Sequence, residues 1–491
     1  MLLNALVGIL ATQLASGVFG GQIPTVNGVL GGVPSDPATR SITDISLRAA
    51  SARTPGKLRI TENSGICETT AGVYQAAGYG DLTSSESIWY VFWFFAARKN
   101  PDTAPLVIWL NGGPGSSSML GLFQEHGPCR ITNDSSSVTP NKYSWNNNVN
   151  IMYIDQPVGA GFSYGDETVG TSEEAASDLW KFMQIFLKDS RFQKYANRSL
   201  GIWGESYGGH YGYFRHFHSY FLQQNTAISN GSVQGVPMNL KYMGVGDGLT
   251  DPITQYPGFL TYAASNPYHP LVNSSEINKA NKLYTKSGGC KDQITACNNG
   301  GSNAVCSAAQ NYCNNDILEP LAGNYDVYYV LATNPDPYPP NITNYLNSIR
   351  TKIGAAVPWQ ESNDDIYNHF AQTGDWMRTS KPLLETVIDA GVRTLIYDGD
   401  ADYILNFNGV EAMVDSLQTK FSTQYSQQSF ANYTVNGTKA GLFKNAGTFS
   451  YVRIFGAGHE VPAYKYGNLD YGQAAAQFFS QIMSNSSLSS T

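Results

Sequence analysis

Gly204-Glu205-Ser206-Tyr207-Gly208 is the stretch that organises this chain of 491 residues. Before it, Ser199-Leu200-Gly201-Ile202-Trp203 is short and largely apolar and reads as a buried strand. After it, Gly209-His210-Tyr211-Gly212-Tyr213-Phe214-Arg215 reads as the start of a helix. A serine on a sharp strand-to-helix turn, with glycine two places before and two places after, is the nucleophile elbow. The reason is steric. A side chain lifted out of a sheet sits where backbone crowds backbone, and glycine leaves room. The helix that follows points its free N–H groups at whatever the serine attacks. The same five letters also describe an ordinary glycine-rich turn, and the strand–turn–helix context is what favours the elbow.

Outward from that turn the chain alternates strand and helix. Upstream, Ile88 to Phe95 is rich in aromatics and predicts a strand, and Pro105 to Leu110, apolar throughout, predicts one buried on both faces. The second runs into Asn111-Gly112-Gly113-Pro114-Gly115, a turn that lets backbone approach a ligand closely. Val149 to Ile154 predicts another strand. Ser172 to Lys188 predicts a helix, with Ser172 as its cap and Ala176, Leu179, Phe182, Met183 and Phe186 at helical spacing. Later strands are expected at Tyr242 to Val245, Arg393 to Tyr397 and Tyr451 to Phe455. Repeated strand-then-helix units imply an α/β chain with a parallel sheet covered on both faces. Between about 250 and 380 the rhythm fails and Cys, Asn and Pro concentrate, which reads as an insertion over the sheet edge.

The first twenty residues, MLLNALVGILATQLASGVFG, are an apolar run ending in small residues, as in a secretory signal peptide, although no basic residue precedes the run. Asn4 and Gln13 break the run, which argues against a membrane anchor. Residues 21–54 read either as a removable pro-segment or as a loose N-terminal arm, and 55–491 as the folded domain. Charged residues are 14% of the chain and the net charge is −8 with no basic run, which argues against a nucleic-acid partner. Sequons at Asn133, Asn197, Asn230, Asn273, Asn341, Asn432, Asn436 and Asn485 suggest a glycosylated surface. Four of the six cysteines, Cys290, Cys297, Cys306 and Cys313, have symmetric spacing that fits nested disulfides, 290 with 313 and 297 with 306. Cys67 and Cys129 then pair by elimination, although other connectivities remain open to sequence. A zinc site is disfavoured because no close Cys-x-x-Cys pair occurs, and no metal or other cofactor is expected.

With an elbow serine, the acid and then the histidine should follow in chain order. Thr394-Leu395-Ile396-Tyr397 leads into Asp398, Asp400 and Asp402, any of which could be the acid. His459 alone among the seven histidines lies beyond Asp402. His126, His269 and His369 come too early, and His210, His216 and His218 on the elbow helix read as packing or solvent-facing residues.

At this point a resemblance emerges. Trp109-Leu110-Asn111-Gly112-Gly113-Pro114-Gly115, Gly204-Glu205-Ser206-Tyr207-Gly208, Gly399-Asp400-Ala401-Asp402 and Gly458-His459-Glu460-Val461-Pro462 resemble segments of the serine carboxypeptidases, in particular the secreted fungal ones. The resemblance implies an α/β-hydrolase fold with a central, mostly parallel sheet and a disulfide-containing cap. It implies a serine-type carboxypeptidase that releases C-terminal amino acids from peptides and proteins through an acyl-enzyme at acidic pH, secreted or retained in a vacuole. It assigns Ser206 as nucleophile, His459 as general base and Asp402 as the residue orienting it, with the N–H groups of Gly113 and Tyr207 as oxyanion hole. It assigns Asn111, Glu125 and Glu205 to the substrate's terminal carboxylate, with Trp109 on the wall. Close carboxyls raise one another's pKa, and a neutral acid can donate a hydrogen bond to a carboxylate. Two departures stand out: Ser116 where relatives often carry Cys, and Gly208 where they carry Ala. Glu460 stands where other relatives have an apolar residue, and it either selects substrates with a C-terminal Lys or Arg, or points into the carboxylate network or to solvent and tunes pH dependence only. An acyltransferase or esterase on the same scaffold is the rival reading, and a catalytically silent binding protein is disfavoured by the intact triad.

Overall fold

The apolar stretches form the middle of a sheet of eleven strands. The computed structural model describes residues 22–35, 56–82, 89–211, 217–332 and 339–491. The leader expected at 1–20, residues 21 and 36–54 of the arm, Ile88, and residues 212–216 after the elbow lie outside the described residues, as does the side chain of His218. In chain order the strands are β1 (Thr25–Val26), β2 (Val29–Leu30), β3 (Lys57–Glu62), β4 (Gln75–Asp81), β5 (Trp89–Phe95), β6 (Leu106–Leu110), β7 (Cys129–Ile131) and β8 (Val138–Pro140). They continue as β9 (Asn150–Asp155), β10 (Ser199–Glu205), β11 (Asn239–Gly246), β12 (Arg393–Gly399), β13 (Ala431–Val435), β14 (Thr438–Ala446) and β15 (Phe449–Ile454).

The large sheet runs β13-β14-β15-β12-β11-β10-β6-β9-β5-β4-β3. From β15 to β9 every pairing is parallel. The flanks are antiparallel, β13–β14–β15 on one side and β9–β5–β4–β3 on the other. The aromatic strand β5 therefore belongs to an antiparallel flank, a distinction that apolar content cannot reveal, because burial on both faces looks alike in either pairing.

Side chains alternate across the sheet into two cores. Phe92 and Phe94 of β5, Ile108 and Leu110 of β6, and Met152 and Ile154 of β9 enter one. Val91, Trp93, Phe95, Val107, Trp109, Ile151 and Tyr153 enter the other. That period of two is what makes these strands read as continuous apolar runs. The first face is covered by α1 (Ser172–Lys188), whose Ala176, Leu179, Phe182, Met183 and Phe186 pack there as the helical spacing predicts. Its cap is Thr171, which accepts a hydrogen bond from the Glu174 amide, and not Ser172. The Ser172 hydroxyl donates instead to Asp375 at 2.6 Å, a partner about two hundred residues away that no local pattern announces. The second face is covered by the C-terminal helix Gln473–Met483, with Phe479 stacked on Trp145.

The irregular region between β11 and β12 lies over the C-terminal edge of the parallel strands. Asn363 donates its amide to the Gly115 carbonyl and Ser117 donates to that of Glu361. Val330 donates to the Ala401 carbonyl and His459 to that of Tyr328. Helices Cys290–Asn298 and Asn303–Cys313 are stapled by Cys290–Cys313 and Cys297–Cys306, and Cys67 joins Cys129. The two nested pairs are those expected from the spacing, and the third is the pair left by elimination. Among the described residues no helix is long and apolar enough to cross a membrane. The nested pairs generate a prediction. Unreduced peptide mapping should recover 290 with 313 and 297 with 306, and replacing Cys290 and Cys313 together by Ser should lower unfolding stability by about 3 kcal/mol. Recovery of 290 joined to 297, or unchanged stability in denaturant titration, would contradict the assignment.

Candidate active site

Ser206 occupies the left-handed region at φ +61°, where a residue with a Cβ sits only under constraint. Its amide donates to the Gly246 carbonyl at 2.9 Å, and its own carbonyl accepts from Gly209 and Leu249 at 3.0 and 3.1 Å. Two other glycines allow the loops to close on it. A Cβ on Gly112 would lie 2.5 Å from the Tyr207 nitrogen, and one on Gly209 would lie 2.4 Å from the Leu249 carbonyl oxygen. The backbone after β6 is thus pressed against the turn after β10, and Gly113 and Tyr207 come to the same place as Ser206.

Asp398 lies near the end of β12, Asp400 and Asp402 follow it, and their partners separate the three. Asp398 accepts from the Tyr451 hydroxyl at 2.7 Å, and Asp400 accepts from the Gly456 amide at 2.8 Å. Asp402 Oδ2 meets His459 Nδ1 at 2.9 Å, while the amides of Ile404 and Leu405 donate to its two oxygens. Both members of this pair are fully buried. Burial works against a charged His459, but the Asp402 charge and hydrogen bond outweigh it, with Glu205 and Asp326 adding, so its pKa is raised. Ser206 Oγ and His459 Nε2 are each buried without a hydrogen-bond partner among the described residues, so Ser206 and His459 do not form a hydrogen bond here. Catalytic contacts of this kind commonly tighten only when substrate is bound.

Beside Ser206 lies a cluster of acids. β6 and β10 are in parallel register with Leu110 opposite Gly204, so Asn111 and Glu205 leave the sheet side by side. Asn111 Nδ2 donates to Glu205 Oε1 at 2.7 Å and to Glu125 Oε1 at 3.3 Å. Glu125 ends the π-helical turn Gly121–Glu125, a wide turn often found at functional sites. Asn111 Oδ1 is held by Trp109 Nε1 at 2.7 Å and the Gly121 amide at 3.0 Å, which fixes the orientation of its NH2 group. Glu125 and Glu205 are both buried. Burial, then the nearby Glu205 and Glu460, raise Glu125 well above the ordinary carboxylate range. Burial raises Glu205 too, against the opposing pull of His459.

The structure therefore gathers Ser206, Tyr207, Asn111, Gly113, Glu125, Glu205, Asp402 and His459 at one place. Trp109, expected on the wall, is fully buried, its ring edge-on to His126 and Trp145, and it reaches the site only through Asn111. Glu460 is half-buried. His210 bonds the Leu249 carbonyl oxygen through Nδ1 and is a packing residue, as expected. All eight sequon asparagines are exposed. Tyr328 is a residue that sequence reasoning missed. Its carbonyl accepts the His459 amide and its ring lies 5.2 Å from the imidazole, yet it sits in an irregular stretch with no motif around it.

A family model described as serine carboxypeptidase matches residues 66–484. Carboxypeptidase S1 of Penicillium janthinellum is 40% identical over 435 residues, covering 88% of this chain and 100% of that protein. Carboxypeptidase S1 homolog A of Arthroderma otae is 32% identical over 507 residues, covering 87% and 76%. Among solved structures, Kex1(Δ)p, a prohormone-processing carboxypeptidase from Saccharomyces cerevisiae, superposes with a TM-score of 0.70 at 22% identity, covering 86% of this chain and 93% of that one, which speaks to the fold alone. The chain that carries this elbow, this buried Asp–His pair and this cluster of acids belongs to the serine carboxypeptidase family.

Proposed function

We propose that this chain cleaves the last residue from peptides and proteins, with Ser206 as the nucleophile and the cluster at Asn111 as the site for the terminal carboxylate. The observation that carries this reading is the pair of buried carboxyls, Glu125 and Glu205, bridged by one asparagine amide next to Ser206. An anion is repelled by two carboxylates. It is held by a neutral acid that donates O–H and an amide that donates N–H. Ser206 Oγ attacks the scissile carbonyl and passes its proton to His459 Nε2, and Asp402 stabilises the imidazolium. The N–H groups of Gly113 and Tyr207 take the oxyanion. The imidazolium then protonates the departing amine, leaving an ester on Ser206 that water hydrolyses with the same histidine as base. Three disulfides and eight exposed sequons support an exported protein, secreted or vacuolar.

The proton positions fix the pH dependence. Glu125 and Glu205 have raised pKa values, so their neutral form outlasts that of an ordinary glutamate. As pH rises through those values the site turns anionic and KM should rise. The pKa of His459 is also raised, so its neutral base form is lost as pH falls, and kcat should drop on the acid side. Peptides with a free C-terminus and their C-terminal amides, compared by mass spectrometry across pH, test this. The free acids should be preferred by about ten- to a hundredfold at acidic pH, the worth of one hydrogen bond to a charged group. The preference should shrink as pH rises. Equal turnover of acid and amide at all pH values would favour an esterase or acyltransferase instead.

Ser206→Ala should abolish both turnover and labelling by a fluorophosphonate while leaving the thermal midpoint unchanged, and labelling that survives would place the nucleophile elsewhere. For Glu460 we favour membership of the acid cluster over substrate selection, because its charge acts on Glu125. Glu460→Gln should then move the alkaline limb to lower pH, since one of the charges raising Glu125 is gone. The ratio of turnover for peptides ending in Arg or Lys to those ending in Phe or Leu should hold. A fall in that ratio would make Glu460 a specificity residue.

A further inference from the structure

Both oxyanion donors proposed above are held from behind by a tyrosine of the elbow. Tyr207, whose N–H is one of them, is buried, and its hydroxyl donates to Asp375 Oδ2 at 2.8 Å. Tyr211, one helical turn on, accepts the Gly115 amide on its hydroxyl at 2.6 Å and so holds the loop that carries Gly113. The two rings lie 5.1 Å apart, edge to face. Phe370 of helix Asp364–Thr373 packs edge-on against both.

Asp375 belongs to the insertion and opens the short turn Asp375–Met377. It is 5% exposed, so its carboxylate depends on protein donors. Oδ2 accepts a second hydroxyl, that of Ser172 at 2.6 Å, and Oδ1 accepts the Ser172 amide at 3.4 Å. Ser172 is the first residue of α1, so the carboxylate also sits at the positive end of that helix. Asp375 is thus fixed from the helix that covers the sheet, and it passes that position on to Tyr207. Among the described residues it is the one hydrogen-bond partner of the Tyr207 phenol. Phe370 and Trp376 fill the space around the ring without setting how deep it sits.

We propose that Asp375 is a positioning residue for the oxyanion hole, aiming the Tyr207 N–H through the Tyr207 phenol. This inference rests on the assignment of Gly113 and Tyr207 to the oxyanion. The peptide that carries this N–H follows Ser206, whose φ of +61° is strained. Such a peptide keeps its direction only while both sides are held. The backbone bonds of Ser206 hold one side, and the anchored Tyr207 side chain holds the other. A donor acts on the transition state only when it points to where the charge develops. Loss of the anchor therefore costs turnover. Binding at Asn111, Glu125 and Glu205, none of which bonds Asp375, is spared.

The experiment compares the full chain with four variants. Tyr207→Phe deletes the phenol oxygen and keeps the ring, Asp375→Ala deletes the acceptor, and Asp375→Asn keeps a neutral one. Ser172→Ala takes the other hydroxyl from the same carboxylate and is the stability control. Thermal midpoints check that all four fold. For a peptide with a free C-terminus, kcat should fall about tenfold in Tyr207→Phe and Asp375→Ala with KM unchanged, a part of the loss that removing a whole oxyanion donor causes. Asp375→Asn should recover most of it. Ser172→Ala should lower the thermal midpoint and leave kcat near that of the unmodified chain. The direct readout is the affinity of an N-acyl amino aldehyde relative to the matching alcohol. Ser206 Oγ adds to the aldehyde carbon, its proton passes to His459, and the new oxyanion lies in the hole. The alcohol has no carbonyl to add to. The aldehyde-to-alcohol ratio should fall about tenfold, in step with kcat, in Tyr207→Phe and Asp375→Ala. Inhibition by the released amino acid should hold. An unmodified protein that bound the aldehyde no better than the alcohol would overturn the oxyanion assignment and this proposal with it. An aldehyde preference that persists undiminished in Tyr207→Phe and Asp375→Ala would overturn the proposal alone. So would a fall in kcat that Ser172→Ala shares and Asp375→Asn does not relieve.

Discussion

Two carboxyl groups shut away from water beside one asparagine set the terms for the rest of this active site. Glu125 and Glu205 share the amide of Asn111, and both have pKa values raised by burial. Ionising both in so confined a place opposes desolvation and charge repulsion together. The amide must therefore be aimed with care, and the surroundings do this. Trp109 and the Gly121 amide hold the Asn111 oxygen, so its NH2 group has one direction left. The parallel register of β6 and β10 sets Asn111 next to Glu205, and Glu205 is the neighbour of Ser206 in sequence. On the proposed roles, binding and chemistry are joined by a single peptide bond.

The sheet supplies the remaining geometry. Asn111, Ser206, Asp402 and His459 follow the C-terminal ends of four parallel strands, and the loops that bear them converge where Gly112 abuts Tyr207. The insertion then acts as more than a cover. It brings the Tyr328 carbonyl to the His459 amide and offers Asn311, Asn314 and Glu319 to the backbone of segment 22–35. Its nested disulfides staple helix Cys290–Asn298 to helix Asn303–Cys313, and the second of these carries Gln310 and Asn311, which bond segment 22–35.

What could be read in the sequence follows from how local each signal is. The elbow, the order of acid and histidine, and the cysteine spacing are short patterns, and each names its residues. The choice among Asp398, Asp400 and Asp402 came from family resemblance, because only tertiary contacts distinguish three aspartates so close together at the end of β12. The antiparallel pairing of β5 was hidden because strands buried on both faces look alike whichever way they pair. Ser172 passed for a helix cap because its hydroxyl partner, Asp375, is remote in sequence. Trp109 was expected on a wall and is a buried support, since the sequence cannot tell a ring that touches substrate from one that aims an asparagine. Gln22 and Tyr328 carried no pattern at all, because their contacts are made with residues more than a hundred positions away.

The claim on which the account turns is that Glu125 and Glu205 hold a proton at pH values where an ordinary glutamate has lost it. Infrared difference spectroscopy of the protein against Glu125→Gln, followed across pH, observes that proton directly. The account predicts a protonated-carboxyl band, absent from the variant, that persists well above the ordinary glutamate pKa of about 4.3 and disappears only as the pair ionises. A difference spectrum with no such band above that pH would show two ordinary carboxylates at the site and contradict the account.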